Sequence, residues 1–159
     1  MVSCVFPGSF DPVTKGHLDL IERASGIFDH VTVTVMLNIH KNGTIPIDKR
    51  IEILQRVCTP FKNVSIDSWD GLLAEYMAEN HERIIIRGIR SGMEMEHELV
   101  SGAANIMLND QVETLFLPTD PTLKGVSSSA VREIAAFGGD IRKFVPETVA
   151  EEIRKLLLK

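Results

Sequence analysis

The sequence predicts an α/β protein: a five-stranded parallel sheet with helices on both faces, wound as a doubly wound, Rossmann-like sandwich. Three observations predict it. Short runs of apolar, β-branched residues alternate along the chain with longer stretches of helical period. The apolar runs are continuous, as in strands buried on both faces. No repeat, low-complexity segment or linker interrupts the 159 residues, so a single domain over 1–159 is expected.

The first strand, residues 2–6, feeds a loop punctuated by Pro7, Gly8 and Pro12, then a helix with Leu18, Ile21, Ala24 and Phe28 on one face. Residues 31–37 form the second strand. The next helix opens near Pro46, a residue suited to the first helical position, and aligns Ile51, Leu54 and Cys58. Residues 64–66 read as the third strand and 72–79 as the third helix. The fourth strand is 84–86, and the helix after it places Leu99, Ala103 and Ile106 on one side. Residues 114–117 are the fifth strand. The fifth helix starts in the serine cluster 127–129, which supplies an N-cap, and stops at Gly138-Gly139. After Pro146 a last helix carries Val149, Ile153, Leu156 and Leu157. Right-handed crossovers then make the doubly wound sheet the default.

Composition narrows the function. The chain is 44% hydrophobic and 25% charged, ordinary for a globular protein. No apolar run approaches the ~18 residues that span a bilayer, and the N-terminus lacks the pattern of a secretory signal. A net charge of −5 argues against nucleic acid as a partner. Cys4 and Cys58 have neither metal nor redox spacing and read as reduced core thiols of a cytoplasmic protein. The expectation is therefore no membrane, no nucleic acid and no protein-held metal.

In open α/β sheets ligands bind beyond the carboxyl ends of the strands. The unusual clusters all fall there. Ser9 to His17 follow strand one, His40 and Lys41 strand two, Arg87-Gly88-Ile89-Arg90 strand four, and the stretch from Thr119 to Ser129 strand five. Two helix N-termini, two arginines, a lysine and a histidine thus share one rim. Such a rim suits a polyanion, a nucleoside triphosphate with a second phosphate. Each signal also has an ordinary reading. Gly16-His17 can be a polar cap, Lys41 a solvated loop residue, and the serines a cap. Arg87 and Arg90 can pair with Glu94, Glu96 or Glu98, and that alternative stays open.

At these residues the chain resembles the nucleotidylyltransferase superfamily, with Thr14-Lys15-Gly16-His17 and Val126-Ser127-Ser128-Ser129 as its two hallmark elements. Within it, four features resemble the bacterial phosphopantetheine adenylyltransferase family: Pro-Gly-Ser-Phe-Asp-Pro at 7–12, Thr at 14, Arg-Gly-Ile-Arg at 87–90 and the triple serine. The resemblance implies transfer of the adenylyl group of ATP to 4′-phosphopantetheine, giving dephospho-coenzyme A and pyrophosphate. It also implies Mg²⁺ as cofactor, a homohexamer and feedback binding of coenzyme A. Carried over by position, His17, Lys41 and Arg90 are the catalytic set. Ser9, Lys41, Leu73 and Arg87 hold phosphopantetheine. ATP falls to Ser9, Phe10, His17, Gly88, Ile89, Arg90 and Glu98, with Leu123, Lys124, Gly125, Val126, Ser127, Ser128 and Ser129. Three positions depart from the pattern: Ser9 stands where Thr is commoner, His97 where Tyr is frequent, and Leu123-Lys124-Gly125 lacks the usual aromatics. Lys124 is expected to add a phosphate contact there.

The residue types suit that reaction. A phosphate monoester with a second pKa of about 6 is already largely dianionic at neutral pH and needs no general base. The barrier lies in bringing two anions into line. Lys41 and Arg87 on one, with His17 and Arg90 on the other, would screen the repulsion. The rivals are a sister enzyme with another acceptor or CTP, and a silent coenzyme A-binding module. An NAD-binding domain lacks its Gly-x-Gly-x-x-Gly turn after strand one.

Overall fold

The computed structural model describes residues 1–37 and 43–158. His40 and Lys41 lie outside the described residues. The chain runs β1 (Ser3–Gly8), α1 (Lys15–Ile27), β2 (His30–Met36), α2 (Ile47–Val57), β3 (Val64–Trp69), α3 (Leu73–Glu79), β4 (Ile84–Ile89), α4 (Gly92–Leu108), β5 (Glu113–Pro118), α5 (Ser128–Ala136) and α6 (Ala150–Leu157). The five strands form one sheet in the order β3-β2-β1-β4-β5, and every pairing is parallel. The expected fold class is the observed one.

Alternation along each strand divides the core in two. Cys4 and Phe6 of β1, Val31, Val33 and Val35 of β2 and Ile86 of β4 face one side, where α1, α2, α5 and α6 cover them. Val5 and Ile85 face the other and pack with Tyr76 and Met77 of α3 and with Val112. Both cysteines are free and buried, and burial pushes the Cys4 thiol up to about 12 and the Cys58 thiol up to about 11. Such thiols are inert.

Strands β3 and β4 run three residues past the apolar segments that announce them, to Trp69 and Ile89. Thus Arg87, Gly88 and Ile89 stand within β4 and not after it. α4 differs more. Only Gly102 is buried, while Leu99, Val100, Ile106 and Met107 are exposed, so much of its apolar stripe is open to solvent among the described residues.

The order places the topological switch between β1 and β4. β1 pairs with β2 over six residues but with β4 only at Val5↔Ile85, so the sheet parts toward the carboxyl ends of these strands. Arg87 bridges the gap there, its Nη1 donating to Pro7 O at 2.8 Å.

Candidate active site

The β1–α1 loop delivers a histidine whose state is set by its own helix cap. Thr14 is the N-cap of α1: its Oγ1 accepts from the His17 amide at 3.3 Å, and its own amide donates to His17 Nδ1 at 3.1 Å. This is a capping box with His in place of the usual Glu or Gln. Because Nδ1 accepts, the neutral ring carries its proton on Nε2 and offers a donor. Burial, then the fields of Arg90 and Arg87, lower the ring's pKa to about 4. It is a neutral donor at physiological pH.

Packing fixes the loop beneath it. The Phe10 ring meets the His17 ring edge-on at 4.9 Å and Phe6 at 5.8 Å. Phe10 is 1% exposed and adopts φ +47, a left-handed conformation costly for a side-chain-bearing residue. A Cβ on Gly8 would lie 3.1 Å from that ring, so a glycine there leaves room for it. Asp11 accepts from the amides of Thr44 and Ile45, both at 2.8 Å. Arg50, 7% exposed, donates to Ile45 O at 2.7 Å and Ser9 O at 3.1 Å. A Cβ on Gly43 would fall 1.7 Å from Arg50 Nη2.

Arg87 and Arg90 pair with carboxylates, the ordinary reading open to them, and still face a cavity. Arg87 grips Glu98 through Nε and Nη2 at 2.7 Å each, and Arg90 grips Glu94 through Nη2 at 2.8 Å. Yet both also line a cavity of about 330 Å³ with Ser9, Gly16, His17 and Gly88. Glu96 is exposed and makes none of these ion pairs. Leu20 packs close over Gly88: a Cβ there would lie 2.2 Å from Leu20 Cδ1, so that side chain would have to turn aside.

The three serines differ in role. Ser127 is the N-cap of α5 and accepts from Ala130 N at 3.1 Å, Ser128 donates to Pro12 O at 2.7 Å, and Ser129 accepts from Arg132 Nη2 at 3.2 Å. The Ser128 bond draws the N-terminus of α5 to the loop before α1, so two helix N-termini face one cavity. Arg132 also donates to Asp11 O at 2.6 Å and lines the cavity. The sequence reading missed it, though its position three residues after Ser129 puts the two on one helical face.

A second cavity, about 700 Å³, shares Pro7, Gly8, Ser9, Arg87 and Glu98 with the first. Leu73 lines it, with Leu37, Leu72, Ile85 and Asn105. Lys124 and His97 line a neighbouring recess of about 580 Å³ that also touches Arg90. Val126 and the serines reach the small cavity, whereas Phe10, Ile89, Leu123 and Gly125 line none of these three spaces. Among the described residues no group of three or more His, Cys, Asp or Glu is gathered for a metal.

The cytidylyltransferase-like family matches residues 5–134. Phosphopantetheine adenylyltransferase of Caldanaerobacter subterraneus subsp. tengcongensis is 44% identical over 155 residues, 98% of this chain and 97% of the relative. That of Finegoldia magna is 42% identical over 151 residues, 95% of this chain and 93% of the relative. The chain belongs to the phosphopantetheine adenylyltransferase family, a family of nucleotidyltransferases. The Clostridium perfringens (strain SM101) member is 40% identical over 154 residues, 97% and 94% of the two chains. Solved structures agree on the fold. A candidate nicotinate-nucleotide adenylyltransferase from Vibrio parahaemolyticus superposes with a TM-score of 0.73 at 18% identity, covering 100% of this chain and 97% of that one. The Plasmodium falciparum nicotinic acid mononucleotide adenylyltransferase does so at 0.68 and 14%, covering 96% and 94%.

Proposed function

We propose that this family member transfers the adenylyl group of ATP to 4′-phosphopantetheine, releasing pyrophosphate and forming dephospho-coenzyme A, a step of coenzyme A biosynthesis. The observation that carries this reading is the pair of cavities with a common wall at Pro7, Gly8, Ser9 and Arg87. The small one, polar and faced by two helix N-termini, suits a triphosphate. The large one, lined by Leu37, Leu72, Leu73 and Ile85, suits a long, mainly uncharged arm ending in phosphate at Arg87.

In this mechanism the acceptor phosphate attacks the α-phosphorus of ATP directly, in line, and pyrophosphate leaves from the opposite face. No side chain becomes covalently bonded. Ser127 and Ser128 support the reading, because their hydroxyls are engaged in capping α5 and binding Pro12 O. Arg87 and Lys41 hold the attacking phosphate beside Ser9. Arg90 and the amides of Ser127, Ser128 and Ser129 hold the triphosphate. His17 donates Nε2–H to the α-phosphate oxygen on which charge develops, and being neutral it gives a hydrogen bond without surrendering a proton. Positioning two reactants supplies about 7–11 kcal/mol, and one donor aimed at developing charge about 3–4 kcal/mol.

The carboxylates lining the small cavity, Glu94 and Glu98, are taken by arginines. That fits Mg²⁺ bound mainly through triphosphate oxygens, with this chain holding the phosphates around it. Mg²⁺ when bound neutralises triphosphate charge. The exposed stripe of α4 supports assembly, as a homohexamer, and the two free buried cysteines support a cytoplasmic setting. Coenzyme A, which carries both substrates' groups, would occupy both cavities as a feedback ligand. Lys124, which lines the neighbouring recess with Arg90, would add a phosphate contact.

A pyrophosphate-release assay tests the reading. ATP with 4′-phosphopantetheine should turn over in both directions, and CTP or a mononucleotide acceptor should not. Coenzyme A binding without any turnover would refute it.

A further inference from the structure

Glu94 holds Arg90 in a way that an ordinary helix cap would not. Ser91 begins α4 as its N-cap, its hydroxyl accepting from the Glu94 amide at 3.2 Å. Serine followed three residues later by glutamate is the pattern of a capping box, in which the carboxylate returns to the N-cap amide. Here the carboxylate reaches one residue further. Oε2 accepts from the Arg90 amide at 2.7 Å, and the guanidinium closes on the same carboxylate through Nη2 at 2.8 Å and Nε at 3.2 Å. From the opposite side Arg90 Nη1 donates to Val126 O at 3.0 Å. One carboxylate therefore fixes both the peptide and the side-chain plane of an arginine that lines the small cavity.

Arg87 repeats the arrangement, with Nε and Nη2 on Glu98 and Nη1 on Pro7 O. Glu94 and Glu98 stand about one turn apart, so one face of α4 clamps two guanidinium groups. Hydrogen bonding from Arg90 holds the Glu94 carboxyl below its ordinary range, keeping it ionised. That charge sits on the wall of a cavity suited to a polyanion, where it repels the ligand. Its gain must then be geometric.

We propose that Glu94 is a positioning residue that aims Arg90, peptide and guanidinium together, at the triphosphate. This rests on the reading that Arg90 holds ATP. The two possible actions of Glu94 have opposite signs. If it acts only as a charge, removing it strengthens ATP binding. If it positions Arg90, removing it weakens ATP binding although a repulsive charge is gone.

The experiment measures ATP affinity by calorimetry, and kcat and KM for ATP, in Glu94→Ala and Glu94→Gln, each with Arg90 intact and with Arg90→Ala. Thermal midpoints are recorded alongside. Glu94→Ala should weaken ATP binding about tenfold, within the range for residues of one ion-pair network. Glu94→Gln, which keeps an oxygen for the Arg90 amide, should lose less and serves the comparison if the alanine variant does not fold. With Arg90→Ala already present, neither change should cost more. Tighter ATP binding in Glu94→Ala overturns the proposal. So does an equal loss in the Arg90→Ala background, which is the mark of a merely structural role. Arg90→Ala with undiminished ATP binding would overturn the reading of Arg90 as well, and that single variant tells the two failures apart.

Discussion

Replacing His17 separates the cap it gives α1 from the donation to the reacting phosphate that we propose for it. The ring accepts the Thr14 amide through Nδ1 at 3.1 Å and carries its donor on Nε2. His17→Ala removes both. The orphaned Thr14 amide should lower stability by about 1 kcal/mol, and the lost donor should lower kcat by roughly 10²–10³. His17→Gln restores the commonest partner of a threonine N-cap, so the cap survives. Its carboxamide keeps an N–H donor, but on a longer and freer side chain than the ring that held Nε2 in place. Gln should therefore match wild type in stability and fall between wild type and Ala in turnover. Steady-state pyrophosphate release gives kcat, and urea unfolding gives stability for all three proteins. Wild-type turnover in the Ala variant would refute the donor role, and a Gln variant as unstable as Ala would refute the cap.

Three further expectations follow from the geometry. The lowered pKa of His17 makes stability depend on pH between 6.5 and about 4: above 6.5 its contribution is full, and it declines as acid protonates the unfolded chain first. Urea midpoints at pH 7 and pH 5 should differ less in His17→Gln than in wild type, and imidazole NMR should show that ATP raises the pKa. Gly88→Ala puts a Cβ 2.2 Å from Leu20 Cδ1 and makes that buried side chain leave its rotamer, so a loss of about 0.5–1.5 kcal/mol should appear as a lower melting temperature, and an unchanged one would contradict the packing. Arg50→Met leaves Asp11 buried without its cation and frees Ser9 O. A loss of about 1–3 kcal/mol is expected by denaturant titration, mainly from the freed buried carbonyls, because Asp11 lies 3.9 Å from Arg50 and keeps its two amide donors.

What the sequence made legible was whatever repeats along the chain. Continuous apolar runs located all five strands, because a parallel sheet hides both of its faces. Their carboxyl ends escaped that signal. Asp67 and Ser68 continue β3 opposite Thr34 and Val35, and Arg87 continues β4 opposite Phe116, but such side chains look toward cavity or solvent and carry no apolar mark. Thr14 and His17 were recognisable as a motif, but their reciprocal hydrogen bonds needed coordinates. The competing readings of Arg87 and Arg90 could not be resolved from spacing, since one guanidinium can grip a carboxylate and still line a cavity. Arg50 was invisible for another reason. Its partners Ser9 and Asp11 lie 41 and 39 residues away, brought near only by the pairing of β1 with β2.

The wall shared by the two cavities has a pharmacological consequence. Pro7, Gly8, Ser9 and Arg87 are reachable from either side, so one molecule can span the partition instead of choosing a compartment. If the two chambers hold the two substrates as proposed, two weak fragments, one per chamber, would become a strong inhibitor when tethered across that wall. The first fragment holds the second at millimolar effective concentration, and linkage alone can add about 10²–10⁴ in avidity when the tether fits. Selectivity against sister enzymes would come from the fragment in the large chamber, where Leu73 and Asn105 stand, and not from the half that imitates a triphosphate.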